Sequence, residues 1–186
     1  MSFSREDVTG RDNYINELFA PEDRHLKNIR ERLRADGKEG INVGPYEGQI
    51  LHWLMRLQSV QTVVEVGTLY GYSALWMARA LPKNGKLYCL ELDENNANCA
   101  RELLMETEIR DRVEVIAGDA LSSLKALSSQ GPFDMAFIDA NKSGYLNYLD
   151  WAEANVKKGG LIVGDNTFLF GNVIQPQKDS PIPMNE

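Results

Sequence analysis

The sequence predicts an α/β fold built on a doubly wound, mostly parallel sheet, with helices at the N-terminus. After residue 60, five short apolar runs alternate with amphipathic stretches of helical period. Such alternation is typical of βαβ units with right-handed crossovers, which give a parallel sheet with helices on both faces. Polar residues follow each apolar run, and in such a sheet these positions meet at one edge, where ligands bind.

The segment before the sheet is predicted to be helical. Pro21, Glu22 and Asp23 are typical of a helix start, and Gly37 stands where a helix-terminating glycine is expected. A further helix follows Pro45. The predicted strands cover residues 62–66, 86–90, 113–117, 133–138 and 161–164. The predicted helices between the strands cover residues 72–81, 94–108, 120–128 and 145–156.

The composition indicates one globular domain of 186 residues. We expect N-terminal helices over 1–60, an α/β core over 61–171 and a mobile, proline-rich tail over 172–186. The formal net charge of −7 disfavours binding to nucleic acid or to an anionic membrane. No apolar run reaches the length of a membrane span and no signal-peptide pattern is present, so we expect a cytoplasmic protein.

A glycine-rich turn follows the first predicted strand and indicates a cofactor site. Gly67 and Gly71 let the backbone approach a ligand without a Cβ atom in the way. The turn lacks the third glycine of the G-x-G-x-x-G fingerprint, which argues against NAD. Glu91 lies 24 positions beyond Gly67, where an acidic side chain can accept hydrogen bonds from both hydroxyls of a ribose. These residues predict a cofactor that carries a nucleoside.

Acidic residues follow or close all five predicted strands. With their polar and glycine neighbours, they are Glu65 and Gly67, Glu91, Gly118 and Asp119, Asp139, and Asp165 with Asn166. Any one of these carboxylates could equally be the N-cap of the next helix. Their convergence on one edge of the sheet favours a binding site.

Five segments, in this order and spacing, resemble those of a known enzyme family. They are EVGTLYGYSAL (65–75), Glu91, GDA (118–120), FIDANK (137–142) and GGLIVGDN (159–166). From about Val43 to Gly171 the chain resembles the cation-dependent O-methyltransferases, the family of catechol and caffeoyl-coenzyme A O-methyltransferases, which has many bacterial members. The resemblance implies a Rossmann-like methyltransferase fold and an enzyme that uses S-adenosylmethionine.

The resemblance also implies the residues of the site. The positions that match cofactor contacts are Val43, Glu65, Gly67, Tyr72, Ser73, Glu91, Gly118, Asp119, Ala120 and Asp139. Asp139, Asp165 and Asn166 match the ligands of a divalent cation, and Lys142 matches the general base. Two carboxylates and an amide oxygen are hard ligands suited to Mg²⁺, and also to Mn²⁺ or Ca²⁺.

Two features depart from the family pattern. Asn141 stands where family members commonly carry an acidic residue, so we expect weaker affinity for the cation. Family members continue beyond the Asp-Asn pair through a helix and two strands, whereas 20 residues follow Asn166 here. We therefore expect the C-terminal strands of the family fold to be missing.

The sequence thus predicts an O-methyltransferase that acts on a hydroxyl of a small, catechol-like acceptor with help from a divalent cation. A vicinal diol fits because a bound cation lowers a hydroxyl pKa and fixes its orientation. Two alternatives stay open: a metal-independent methyltransferase of a protein or other macromolecule, and a non-catalytic nucleoside-binding protein. The apolar stripe of Leu26, Ile29 and Leu33 is compatible with a homodimer or with packing inside the chain.

Overall fold

The structure, a computed structural model, describes residues 9–168 of the chain. Its N-terminal helices are α1 (Thr9–Phe19), α2 (Arg24–Ala35) and α3 (Pro45–Leu57). The strands are β1 (Thr62–Val66), β2 (Lys86–Glu91), β3 (Val113–Ala117), β4 (Phe133–Ile138) and β5 (Val156–Gly164). The helices between the strands are α4 (Tyr72–Ala80), α5 (Glu94–Met105), α6 (Ala120–Leu127) and α7 (Tyr145–Asn155).

The sheet is parallel throughout and has the strand order β3-β2-β1-β4-β5. At its centre, Val63 of β1 pairs with Leu87 of β2 on one side and with Met135 of β4 on the other. The chain therefore reverses its direction of winding between β1 and β4. In open α/β sheets, ligands bind beyond the carboxyl ends of the strands at this switch point. The doubly wound fold predicted from the sequence is confirmed.

Helices cover both faces of the sheet, so its central strands are buried on both sides. On one face, apolar side chains of α2 to α5 pack together, among them Leu33 and Leu75, which are fully buried. On the other face, Leu124 of α6 and Tyr148 of α7 pack against β1 and its neighbours. Because both faces of β1 are covered, its sequence is nearly continuous in branched apolar residues.

Helix α2 begins three residues later than Pro21 because Asp23 is its N-cap. The Asp23 carboxylate accepts 3.1 Å hydrogen bonds from the amides of His25 and Leu26. The helix ends as predicted before Gly37, whose φ of +68° reverses the chain. The apolar stripe of α2 packs inside the chain, because its leucines and isoleucine are almost fully buried.

Strand β5 is the one strand whose start the sequence prediction placed wrongly. It begins at Val156, which pairs with Phe133, and not at Leu161. Two lysines and two glycines separate Val156 from Leu161, and this composition hides the strand from a search for alternating apolar residues.

The described part of the sheet contains five strands, and residues 169–186, which include the predicted tail, lie outside the described residues. Among helices of residues 9–168, none has both the length and the apolar character required to span a membrane.

Candidate active site

The turn that follows β1 brings the backbones of neighbouring strands close together. Gly67 has a φ of +92°, and a Cβ atom at this position would lie 2.3 Å from the carbonyl oxygen of Asp139. A side chain is therefore excluded both by the backbone conformation and by space. The Gly67 amide also donates a 2.9 Å hydrogen bond to the carbonyl of Leu90. The turn is thus held between the ends of β4 and β2.

Glu65 lies just before this turn, fully buried, and two hydroxyl groups bind its carboxylate. Thr68 Oγ1 donates at 2.6 Å and Ser73 Oγ donates at 2.5 Å. Burial raises the pKa of Glu65, while the two hydroxyl hydrogen bonds favour its charged form. Burial, and then the charge of Glu65, also raises the pKa of the neighbouring Cys89 thiol. Because Ser73 belongs to the first turn of α4, Glu65 fixes the helix against the strand.

Glu91, at the end of β2, accepts hydrogen bonds from three protein donors. Its Oε2 accepts a 2.8 Å hydrogen bond from the Leu69 amide. Its Oε1 accepts hydrogen bonds from the Asp93 amide at 3.1 Å and from Asn96 Nδ2 at 3.2 Å. A carboxylate has about four acceptor positions. These bonds leave one position on Oε2 for a donor in the adjoining cavity.

A cavity of about 840 Å³ opens at the carboxyl ends of the strands. Nine of the residues predicted from the sequence line it. They are Gly67, Ser73, Glu91, Asp119, Ala120, Asp139, Lys142, Asp165 and Asn166. Backbone hydrogen bonds from Asp139 to Val66 and from Asp165 to Ile138 extend the strand pairing by one step and bring these ends together.

Four predicted cofactor residues do not line this cavity. Glu65 is buried behind the turn, and the buried Tyr72 donates its hydroxyl to Glu22 at 2.7 Å. Val43 borders a separate apolar cavity of about 140 Å³ under α3. Gly118 uses its amide to hydrogen-bond the carbonyl of Glu91 at 2.8 Å. The structure therefore does not bring these four residues to the surface of the cavity.

The helix-cap interpretation is correct for Asp119, although this residue also faces the cavity. Its Oδ1 accepts hydrogen bonds from the amide and the hydroxyl of Ser122, at 2.9 and 2.8 Å. These two bonds lower the pKa of Asp119. Asp119 therefore both caps α6 and forms part of the cavity wall.

Asp139, Lys142 and Asp165 form a charged cluster at the ends of β4 and β5. Lys142 Nζ lies 3.4 Å from Asp139 Oδ1 and 2.7 Å from the Tyr145 hydroxyl. Burial, and then the charge of Asp165, raises the pKa of Asp139, whereas the charge of Lys142 lowers it. Two mutually repelling carboxylates in a partly buried position are a setting that a bound cation would stabilise.

Asn166 completes the set of predicted cation ligands. It has a φ of +53°, and its amide donates a 2.8 Å hydrogen bond to Asp165 Oδ1. Within residues 9–168, no three carboxylate, histidine or cysteine side chains are placed to hold a metal ion. A cation here would thus need the amide oxygen of Asn166 beside the two carboxylates. Asn141, the departure from the family pattern, accepts a 2.7 Å hydrogen bond from Tyr148.

Sequence reasoning missed part of the cavity wall. Residues 40–42, from the loop before α3, line it, as do Asn96 of α5 and Asn147 of α7. Asn96 lies in the first turn of α5, and its short distance along the sequence from Glu91 is the one local signal that could have indicated it. The loop before α3 carries no such signal, because it reaches the cavity only through the tertiary fold.

A doubly wound parallel sheet with a glycine turn after its central strand and an acid at the end of the next strand is typical of α/β proteins that bind a cofactor carrying a nucleoside. Residues 16–185 match the family model described as O-methyltransferase. The chain therefore belongs to the O-methyltransferase family, whose members are S-adenosylmethionine-dependent enzymes.

Two relatives illustrate the range of the family. A catechol O-methyltransferase of Niastella koreensis is 39% identical over 172 residues, which are 91% of this chain and 78% of the relative. A caffeoyl-CoA O-methyltransferase of Stellaria longipes is 31% identical over 168 residues, covering 88% of this chain and 70% of the relative.

Solved structures agree with this assignment. The O-methyltransferase TomG of Streptomyces achromogenes, involved in tomaymycin synthesis and solved in complex with S-adenosylmethionine, superposes with a TM-score of 0.89 at 35% identity, over 97% of this chain and 81% of that chain. The O-methyltransferase of Bacillus cereus in complex with S-adenosylhomocysteine gives a TM-score of 0.88 at 35% identity, over 95% of this chain and 81% of that chain.

Proposed function

We propose that the protein transfers the methyl group of S-adenosylmethionine to a hydroxyl of a small, catechol-like acceptor, with a divalent cation bound at the ends of β4 and β5. The observation that carries the proposal is a single cavity lined by Glu91, by the carboxylates of Asp139 and Asp165, and by Lys142. The relatives from Niastella and Stellaria support an aromatic acceptor with hydroxyl groups.

Glu91 and the glycine turn would hold the cofactor. The open acceptor position on Glu91 Oε2 suits a ribose hydroxyl, and Gly67 presents bare backbone to the cavity. S-adenosylmethionine supplies a sulfonium-bound methyl that an oxygen nucleophile can attack directly. Asp119 and Ala120 would border the base of the nucleoside from the start of α6. Glu65 would act behind them by keeping Ser73 in place.

Asp139, Asp165 and Asn166 would bind the cation. Their oxygen atoms are hard ligands, and all three residues line the cavity. Burial and the repulsion by Asp165 both raise the pKa of Asp139, and a positive ion held by these carboxylates would relieve that repulsion. A divalent cation bound there would make an acceptor hydroxyl more acidic and fix two adjacent oxygens.

Lys142 would take the proton from the acceptor hydroxyl. Its amine is directed by Asp139 and by the Tyr145 hydroxyl, so it cannot turn freely into solvent. Alignment of the oxygen behind the methyl group then accounts for the remaining acceleration. At about 840 Å³, the cavity falls within the range for small-molecule sites and has room for a nucleoside cofactor and a compact acceptor together.

The test is methyl transfer from S-adenosylmethionine to 3,4-dihydroxybenzoate in the presence of Mg²⁺, measured as methylated product by mass spectrometry. We expect product with this diol and little with 3-hydroxybenzoate, which has no adjacent hydroxyl pair. EDTA should abolish the reaction and added Mg²⁺ should restore it. Asp165→Asn should lower the rate, whereas Asp150→Asn, an exposed change on α7, should not.

The two alternatives give different results in the same assay. Activity that survives EDTA would support a metal-independent methyltransferase. A non-catalytic nucleoside-binding protein would bind S-adenosylhomocysteine but transfer no methyl group to any diol. Its affinity for S-adenosylhomocysteine would be the same in the Lys142→Ala variant.

A further inference from the structure

A chain of hydrogen bonds connects the end of α2 with the cofactor side of the cavity. Asp36, the C-cap residue that follows α2, accepts a 2.6 Å hydrogen bond from the Tyr70 hydroxyl. Lys38 Nζ lies 3.1 Å from the same hydroxyl and donates a 2.7 Å hydrogen bond to Asn96 Oδ1. Asn96 Nδ2 in turn donates to Glu91 Oε1 at 3.2 Å.

The backbone and the side chain of Lys38 are both fixed. The Lys38 amide donates a 2.8 Å hydrogen bond to the carbonyl of Leu33, across the turn made by Gly37. The ammonium group also lies 4.9 Å from the centre of the Tyr70 ring, within the range of a cation–π contact. A long, flexible side chain is thereby ordered at the rim of the cofactor site.

Lys38 determines which way the Asn96 amide faces. A lysine has donors only, so it selects the oxygen of the amide and turns the NH₂ group toward Glu91. Without Lys38, the amide could rotate and place its oxygen against the Glu91 carboxylate, which repels it. The orientation of Asn96 therefore depends on a residue 58 positions away in the sequence.

We propose that Lys38 is a positioning residue for ribose recognition, acting through Asn96 on the carboxylate of Glu91. The inference rests on the proposed contact between Glu91 and the cofactor ribose. With Asn96 correctly turned, Glu91 Oε1 is occupied and Oε2 keeps its open acceptor position. Neither Lys38 nor Tyr70 lines the cavity, so both act without touching the ligand.

The test is calorimetric binding of S-adenosylhomocysteine and of its 2′,3′-dideoxyribose analogue, which lacks the hydroxyls that Glu91 would bind. We expect Lys38→Met and Asn96→Leu each to weaken binding of S-adenosylhomocysteine about fivefold, and the double variant to be no worse than either. Lys38→Met should not change the affinity for the dideoxy analogue, because Lys38 does not line the cavity. Lys27→Met, on the exposed part of α2, should bind both ligands as the native protein does.

Three results would overturn the inference. The first is unchanged affinity of Lys38→Met for S-adenosylhomocysteine; the second is an equal loss for both ligands, which would indicate a structural role. The third is an unchanged affinity of Glu91→Gln for S-adenosylhomocysteine. That result would show that Glu91 does not bind the ribose, and it would also contradict this part of the proposed function. Should Lys38→Met fail to fold, Tyr70→Phe removes the hydroxyl that holds Lys38 and makes the same comparison between the two ligands from a residue outside the cavity.

Discussion

The hydroxyl of Tyr145 lies 2.6 Å from the backbone carbonyl oxygen of Asp165 and donates a hydrogen bond to it, which ties the first turn of α7 to the end of β5. The same hydroxyl accepts a 2.7 Å hydrogen bond from Lys142 Nζ. One oxygen atom therefore sets the position of the lysine and of the turn that carries two proposed cation ligands.

Tyr145→Phe is expected to lower kcat for methyl transfer about tenfold and to leave the affinity for S-adenosylhomocysteine within about twofold. A hydrogen bond to a charged group contributes about 1.5–3 kcal/mol, and a barrier change of about 1.4 kcal/mol is tenfold in rate. Steady-state kinetics and calorimetry measure the two quantities. Tyr88→Phe is the matched control, because its hydroxyl bonds Gln130 away from the cavity. Equal rates for the two variants would contradict the assigned role.

Gly67→Ala is expected to destabilise the protein more than Gly159→Ala does. Both glycines have positive φ, +92° and +81°, so both substitutions carry the backbone cost of about 1–2 kcal/mol. At Gly159 no atom lies within 4 Å of the new methyl group, whereas at Gly67 the carbonyl of Asp139 does. Overpacking should add about 1–3 kcal/mol at Gly67. Urea denaturation gives the comparison, and equal losses would show that the turn can move aside.

Asp134→Asn is expected to lower stability at neutral pH by about 1.5–3 kcal/mol. The Asp134 carboxylate accepts 2.7 and 2.8 Å hydrogen bonds from the amides of Gln61 and Thr62 and a 2.6 Å bond from Lys157. Burial favours the neutral acid, but the bonds from Lys157 and from the two amides outweigh it and lower the pKa of Asp134.

The direction of the Asp134 pKa shift determines how its contribution to stability depends on pH. A lowered pKa in the folded state means that the unfolded chain binds the proton more readily. The stabilisation by Asp134 is thus complete above the ordinary aspartate pKa of 3.8 and is lost as the pH falls through the folded value. Urea denaturation at pH 7, 5, 3.5 and 2.5 should show a constant gap between the native protein and Asp134→Asn at pH 7 and 5, and a gap that narrows progressively below the ordinary aspartate pKa of 3.8. A gap independent of pH would refute this account.

Most of the fold could be predicted because buried parallel strands have a clear pattern. The limits of β1 and β3 follow from short runs of branched apolar residues between turn residues. The start of β5 could not be predicted, because Lys157 and Lys158 and the glycines after them are exposed or only partly buried and carry no apolar alternation.

Some residues of the candidate site could be predicted from the sequence, and others could not. Residues at strand ends, such as Glu91 and Asp165, could be placed at the cavity because topology alone brings strand ends together. The pattern did not reveal that Glu65 faces α4 and lies behind the turn. The bond between Lys38 and Asn96 also leaves no local trace, since it joins the loop after α2 to the first turn of α5 through the packing of these two helices.

The buried thiol of Cys89 can report how often the structure around β2 opens. Its side chain is wholly inaccessible within β2, and burial, followed by the charge of Glu65, raises its pKa, so the reactive thiolate is scarce in the closed molecule. An alkylating reagent can thus reach it only in molecules in which the packing that covers β2 has opened. The labelling rate at Cys89, divided by that of an unprotected thiol, reports the open fraction directly. A ligand that binds only the closed state lowers the labelling rate of Cys89 in proportion to the fraction of molecules that it occupies.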